Sequence, residues 1–385
     1  MPRILFNMPS QYAGQHSGVA HVAFQLLEKL IDNNRFDYFL RSPWSKEQVP
    51  EFLRSKPFHL ITIPRSPVLL FDVLWQTITF PGYCRREGID LVVNLDPFGA
   101  ASGGRARLMI VHDLYFRTIP EQIGWRAAFT NDLIFRLMLR GNSEIVTVSN
   151  STKRDLEFCY PGARGRTTTI HSATSLKAAD GESEQPEIPG SYILAVGNAT
   201  KNKNFHVLAE AMAKNHLSFP DLALVHVGND PDEILAKTLN GLSSKVRLIR
   251  RSGIDDTRLA NIYKNATCLC VTSLSEGFCL PVLEAQVSGC PVVCADRSAM
   301  PEIAGKGALL FDATDSAALA SCLRQVLLNP ETKDTLIRFG YENATRFSWD
   351  IAARQYEELF EQMLARPSCV GNRGWNRGKP VDREQ

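Results

Sequence analysis

Ala266-Thr267-Cys268-Leu269-Cys270-Val271-Thr272-Ser273-Leu274-Ser275-Glu276-Gly277-Phe278-Cys279-Leu280-Pro281-Val282-Leu283-Glu284-Ala285 passes from a β-rich apolar run, through a polar loop with one glycine, into a helix-forming run. A strand that feeds a loop and then a helix is the repeating unit of a parallel sheet, because the chain must cross over the sheet to start the next parallel strand. The unit recurs on both sides of this stretch. Tyr192 to Val196, Leu222 to Val227, Lys245 to Ile249, Ala266 to Val271, Pro291 to Ala295 and Ala308 to Phe311 read as strands of one sheet. Arg3 to Phe6, Phe58 to Ile63, Leu91 to Asn94, Arg107 to Val111 and Ile145 to Ser149 read as strands of another. Between the two sets, Lys177 to Pro189 turns polar and acidic, as a linker does.

Two α/β domains fit 385 residues, since single cores stop growing near 250 to 300 residues. The expected division is an N-terminal Rossmann-like domain over 1–176, a linker over 177–190 and a C-terminal Rossmann-like domain over 191–346. A terminal amphipathic helix over 347–365 returns to the first domain, and a disordered tail covers 366–385. With 43 basic against 41 acidic residues the net charge is +2, which gives no electrostatic case for nucleic acid. The nine cysteines form no Cys-x-x-Cys pair and several sit in apolar runs, so a reducing compartment is expected and a zinc site is not. No apolar run reaches the 18 or more residues of a membrane span, and Met1 to Phe6 reads as a strand rather than a signal peptide. A cytoplasmic protein is expected, in peripheral contact with the inner face of the cytoplasmic membrane if it meets a membrane at all.

The loop after Val271 lies where open α/β sheets bind ligands, outside the carboxyl ends of their strands. Amides at the start of the following helix, from Gly277, Phe278, Cys279 and Leu280, can hold phosphate oxygens. Glu276 and Glu284 are eight positions apart, so an early helix start puts both along one face. Val196-Gly197-Asn198-Ala199-Thr200-Lys201-Asn202-Lys203-Asn204 is a second strand-to-helix turn, with a glycine for close approach and two lysines for anionic charge. Taken singly, these residues equally describe exposed glutamates and solvated lysines. Ser149 and Thr152 read as helix N-caps, and Asp230-Pro231-Asp232 as a cap with proline in the first turn rather than a metal site. No metal and no cofactor are expected.

Glu276-Gly277-Phe278 through Glu284, followed by Gly289-Cys290-Pro291-Val292-Val293 and Met300-Pro301-Glu302-Ile303-Ala304-Gly305, resembles family 4 of the retaining glycosyltransferases. The resemblance implies the GT-B fold, two Rossmann-like doubly wound parallel-sheet domains facing a cleft. It also implies a nucleoside diphosphate sugar, GDP- or UDP-linked, as donor substrate. By the same resemblance Glu276 lies at the donor sugar, Glu284 at the ribose hydroxyls and Lys203 at the diphosphate, with Gly197 in the turn and Lys201 as helper. Asn198 stands where some members carry a second cation. His112, in Val111-His112-Asp113, matches a His-Asp pair that contacts the donor sugar, and Ser17-Gly18 matches a Gly-Gly loop near phosphate or acceptor, with Ser17 in place of one glycine.

The implied function is retaining hexosyl transfer, with mannosyl as the first guess, to a hydroxyl of a glycan or lipid-linked glycan in polysaccharide biosynthesis. Two rivals share the architecture: another GT-B enzyme such as an epimerase or phosphorylase, and a non-catalytic nucleotide-sugar-binding protein. Glu121 to Arg140, which mixes Trp125, Phe129, Ile134 and Phe135 with Arg126, Arg136 and Arg140, reads either as an interfacial helix facing a membrane or as a buried helix with basic edges.

Overall fold

The computed structural model describes residues 1–8, 18–63, 69–177, 186–230, 232–242 and 246–366. Two all-parallel sheets organise them. The first has the order β3-β2-β1-β4-β5-β6-β7, built from β1 (Arg3–Asn7), β2 (Asp37–Ser42), β3 (His59–Thr62), β4 (Leu91–Asn94), β5 (Ala106–Val111), β6 (Glu144–Thr147) and β7 (Thr167–Thr169). The second has the order β10-β9-β8-β11-β12-β13, built from β8 (Tyr192–Val196), β9 (Ala223–Val227), β10 (Leu248–Arg251), β11 (Cys268–Val271), β12 (Val292–Ala295) and β13 (Ala308–Phe311). This is the doubly wound arrangement expected from the strand and helix rhythm, and the GT-B fold that the family resemblance implies.

In each sheet the strand order reverses once, at β1/β4 and at β8/β11. At such a reversal the two flanking crossovers leave in opposite directions and open a crevice beyond the strand ends. In the second sheet the segments that leave this crevice are the two glycine-containing turns, after β8 and after β11.

β2 and β7 were not expected. Two of the six residues in β2 are Arg41 and Ser42, and both are buried. The Arg41 guanidinium donates to Asn7 Oδ1 at 2.9 Å, so buried polar contacts follow a short apolar run of Tyr38, Phe39 and Leu40. β7 is three threonines on an edge. The expected helix over 121–140 is broken: a short 3-10 turn at Pro120–Gln122 ends at Gly124, whose φ of +82° stops it, and the helix proper runs Trp125–Gly141.

The last helix, Trp349–Ala365, packs on Gly18–Asn33 beneath the first sheet. Buried Glu357 accepts from Asn33 Nδ2 at 3.0 Å, and Phe360 meets Phe6 edge-on with centroids 6.2 Å apart. The linker at 178–185 and the tail at 367–385 lie outside the described residues.

Candidate active site

Lys203 closes a short 3-10 turn, Lys201–Lys203, just past β8. Its chain folds back over Gly197, which has a φ of +118°; a Cβ there would stand 2.9 Å from Lys203 Cε. Glycine is therefore required twice, for the backbone angle and for the lysine above it. The turn is laced to the loop after β11. Asn202 Nδ2 donates to Ser275 O at 2.7 Å, Ser275 N donates to Asn202 Oδ1 at 3.0 Å, and Thr272 Oγ1 donates to Lys203 O at 2.6 Å.

This lacing sets the central contact, Lys203 Nζ to Glu276 Oε1 at 2.8 Å. Burial alone would lower the ammonium pKa, but Glu276, Cys279 and Glu284 outweigh it and the net direction is up. The lysine is charged at any working pH.

Glu276 is not on a helix. The helix over Leu280–Val287 starts only after Cys279, which takes a left-handed turn with φ +77°, so the expectation that both glutamates lie along one helical face fails. Glu276 sits instead on the loop, with its amide donating to Ser298 Oγ at 2.8 Å, while Glu284 projects from within the helix. Tyr263, on the Asp256–Asn265 helix, donates its hydroxyl to Glu284 Oε2 at 2.8 Å. Burial pushes the Glu284 carboxyl up to about 7, against the pull of Tyr263 and Lys203 and with a further push from Asp256.

The first sheet meets this loop at the end of β5. His112 Nε2 lies 3.0 Å from Leu95 O, and burial lowers its pKa, so the ring is neutral. The His112 carbonyl faces Gly277 across the two halves of the chain: a Cβ on Gly277 would lie 1.8 Å from His112 O. Thr152 Oγ1 spans the same gap, 3.3 Å from His112 O and 3.2 Å from Gly277 O. Beside them Asp113 is raised to about 6, by burial first and then by Glu276, with the Tyr115 amide pulling the other way. Gly277→Ala is accordingly expected to force the two edges apart and to cut turnover about tenfold or more, because misplacement of about 1 Å can cost a hundredfold. Single-turnover assays compared with small-angle scattering check this; an alanine variant with unchanged rate and dimensions would show that the close approach is dispensable.

A second bridge joins the halves. Glu302 accepts from the amides of Asn150 at 2.8 Å and Ser151 at 2.9 Å, at the start of the Asn150–Cys159 helix, and lies 2.8 Å from His171 Nε2. Burial would raise this carboxyl, but His171 and the two amides hold it below the usual carboxylate range. Glu302 was read only as part of the Met300 to Gly305 motif; the sign of its bridging role was a serine- and asparagine-rich helix start whose amides need an acceptor.

Among the other candidates, Lys201 is exposed and Asn198 accepts from Asn229 N through Oδ1 at 3.1 Å, which ties it to the backbone. Phe278 and Cys279 are buried, and the Cys279 side chain makes no capping bond to the helix that starts at Leu280. Gly18 opens the Gly18–Asn33 helix, while Ser17 lies outside the described residues. His226, which sequence reading passed over, is buried under the turn with Nε2 2.8 Å from Gly197 O. Ser149 caps its helix by accepting from Thr152 N, and Asp230 accepts from Ile234 N at 2.7 Å, a capping contact.

Comparison with known proteins matches residues 181–343 to the family described as glycosyl transferases group 1. Similar curated proteins include a D-inositol 3-phosphate glycosyltransferase of Corynebacterium urealyticum, 31% identical over 55% of this chain and 50% of that one. A phosphatidyl-myo-inositol mannosyltransferase of Mycobacterium leprae is 29% identical over 47% of this chain and 49% of that one. O-antigen chain mannosyltransferase B of Escherichia coli is 26% identical over 63% and 67%. The chain thus spans about half the length of the first two. Among solved structures, sucrose-phosphate synthase from Thermosynechococcus elongatus superposes with a TM-score of 0.77 at 20% identity, covering 95% of this chain and 100% of that one. Anabaena HepE, solved with UDP-glucose, superposes at 0.73 with 16% identity, covering 94% and 100%. The GT-B fold is thus shared along nearly the whole chain, and residues 181–343 carry the match to the glycosyl transferases group 1 family.

Proposed function

We propose that this protein transfers a hexosyl group, mannosyl in the first instance, from a nucleoside diphosphate sugar to a hydroxyl of a glycan or lipid-linked glycan, with retention at the anomeric carbon. The observation that carries this reading is the Lys203–Glu276 pair at the β8/β11 crevice, directly opposite His112. An ammonium and a carboxylate side by side suit a reaction that separates charge: Lys203 meets the departing diphosphate, and Glu276 faces positive charge growing at the anomeric carbon. The amides from Gly277 to Leu280, where the N-cap side chain makes no capping bond, and the dipole of the Leu280–Val287 helix add to the anion site. Glu284 receives the ribose hydroxyls, and neutral His112 bonds the sugar. Attack from the face that the diphosphate leaves accounts for retention with no covalent nucleophile.

In this reading residues 191–346 hold the donor and residues 1–176, completed by the last helix, hold the acceptor. The names of the mycobacterial and Escherichia coli relatives support a mannosyl donor, and the UDP-glucose complex of HepE supports a nucleotide sugar. Placement on the cytoplasmic side is part of the proposal; no helix among the described residues is long and apolar enough to cross a membrane.

The test is thermal unfolding with GDP, UDP and ADP and their sugar conjugates, for wild type and Glu284→Ala. A ligand at a hundredfold its Kd stabilises the native state by about 2.7 kcal/mol. One nucleotide family should raise Tm in the wild type and much less in the variant. If no nucleotide shifts Tm at millimolar concentration, the donor site is wrong; if nucleotide is released at the same rate without any acceptor, transfer is wrong.

A further inference from the structure

The Leu69–Arg86 helix turns a large apolar stripe outward. Phe71, Leu74, Trp75 and Ile78, at the i, i+3, i+4, i+7 spacing of one helical face, are 41 to 75% exposed, while Val73, Gln76, Phe80 and Cys84 on the opposite side are buried. On the Trp125–Gly141 helix, Trp125, Phe129 and Leu133 form a second outward line, 55 to 74% exposed. The two helices touch, and Val73 of one shares a core cluster with Phe135 and Met138 of the other. Half of the fourteen large hydrophobics exposed among the described residues therefore lie on this one pair of helices. Such a concentration is not the scattered exposure of an ordinary surface.

Charge borders the patch in one sign more than the other. Arg85 and Arg86 end the first helix, and Arg126, Arg136 and Arg140 are exposed on the second, with the Arg126 guanidinium 5.2 Å from the Trp125 ring centroid. Asp72 is buried, Asp132 pairs with Arg136 and Glu87 with Arg86, so the charges left outside these pairs are Arg85, Arg126 and Arg140 against Glu121. The hydroxyls of Thr79 and Thr130 turn back onto the carbonyls of Trp75 and Arg126. Apart from its arginines, the face offers few donors or acceptors to a protein partner, whose interface carries about one hydrogen bond per 100–200 Å².

Position adds a third observation. Helices that follow strands of a parallel sheet begin at the carboxyl edge of that sheet, the edge where His112 meets Gly277. Phe71, Leu74 and Trp75, like Trp125 and Phe129, lie in the first two turns of their helices, toward that edge.

We propose that this two-helix face docks the protein onto an anionic lipid bilayer, with the apolar rings at the headgroup and acyl boundary and the arginines among acidic headgroups. The cleft edge of the first sheet then opens at the membrane surface. Docking is separable from transfer and is read without turnover.

The experiment is co-sedimentation of the full chain with phosphatidylcholine vesicles, with and without about one-third phosphatidylglycerol. The wild type should pellet with the anionic vesicles, more weakly in high salt, and little with the neutral ones. Phe71→Ser/Trp75→Ser/Ile78→Ser and, separately, Trp125→Ser/Phe129→Ser should each lower partitioning about tenfold or more at unchanged Tm, because the altered side chains are exposed. Arg126→Ser/Arg140→Ser should remove the preference for phosphatidylglycerol. Failure of the wild type to pellet, or equal pelleting by both serine variants, overturns the proposal. So does a wild-type dimer in sedimentation velocity that the serine variants dissociate without any vesicle binding, which would make the face an interface between copies.

Discussion

Lys203→Ala is expected to lower turnover by about a hundred- to a thousandfold, the usual loss when one preorganised group facing transition-state charge is removed. The same change should destabilise the free protein by about 3 kcal/mol, because it leaves the mostly buried Glu276 side chain without the ammonium 2.8 Å away. The two effects separate in a second variant. Lys203→Ala/Glu276→Gln removes the stranded charge, so stability should return toward wild type while turnover stays low. Denaturant unfolding at pH 7 and single-turnover kinetics on the three proteins check this. The sign with pH is fixed by the raised lysine: its contribution to stability is complete below its ordinary value of 10.5 and is lost only as pH rises through the higher folded value. A single variant that loses stability but keeps its rate would reduce Lys203 to a counter-ion of Glu276. In the resting protein the pair is closed, so under the proposed function an arriving diphosphate would share Lys203 with Glu276 and free in part the carboxylate assigned to the sugar.

The sheets were legible because their strands are apolar runs bounded by polar turns. β4, β8 and β13 fall where the residues place them, since each is short, apolar and flanked by polar or glycine-containing turns. β2 escaped because its apolar run, Tyr38 to Leu40, is only three residues long before a buried arginine and serine end the strand. The site was legible as a set of residue types and not as a set of contacts. Lys203 and Glu276 are 73 positions apart, and what joins them is the adjacency of β8 and β11, a property of strand order that no local pattern encodes. The placement of Glu276 on a helical face failed for one reason: Cys279 adopts a left-handed angle that delays the helix, and a non-glycine residue gives no warning of it. The outward stripe on Leu69–Arg86 carries the spacing of a core-facing helix, and exposure depends on what else covers it.

Glu284 should make donor binding fall about tenfold between pH 8 and pH 6. Its carboxyl titrates near 7 in the free protein, so the ionised share drops from about nine-tenths to about one-tenth over that range. Paired ribose hydroxyls are donors, and only the ionised carboxylate offers acceptors on both oxygens, one of which already takes the Tyr263 hydroxyl. A sugar nucleotide is the right probe, because its diphosphate is esterified at both ends and does not titrate in this window. Calorimetric titration across the range should show the slope in wild type and none in Glu284→Gln, which should bind more weakly throughout. Stability moves the opposite way. A carboxyl raised from 4.5 to about 7 by folding contributes fully below its unfolded value and loses that contribution as pH rises through 7, so the ionised form burdens the free protein above neutrality. Glu284→Gln should therefore stabilise the apo protein at pH 8, by an amount on the order of 3 kcal/mol, and the gain should vanish toward pH 4.5. A variant that binds worse yet unfolds later marks a charge held in place for a ligand. A flat affinity profile in the wild type would remove Glu284 from the ribose site, whatever its effect on stability.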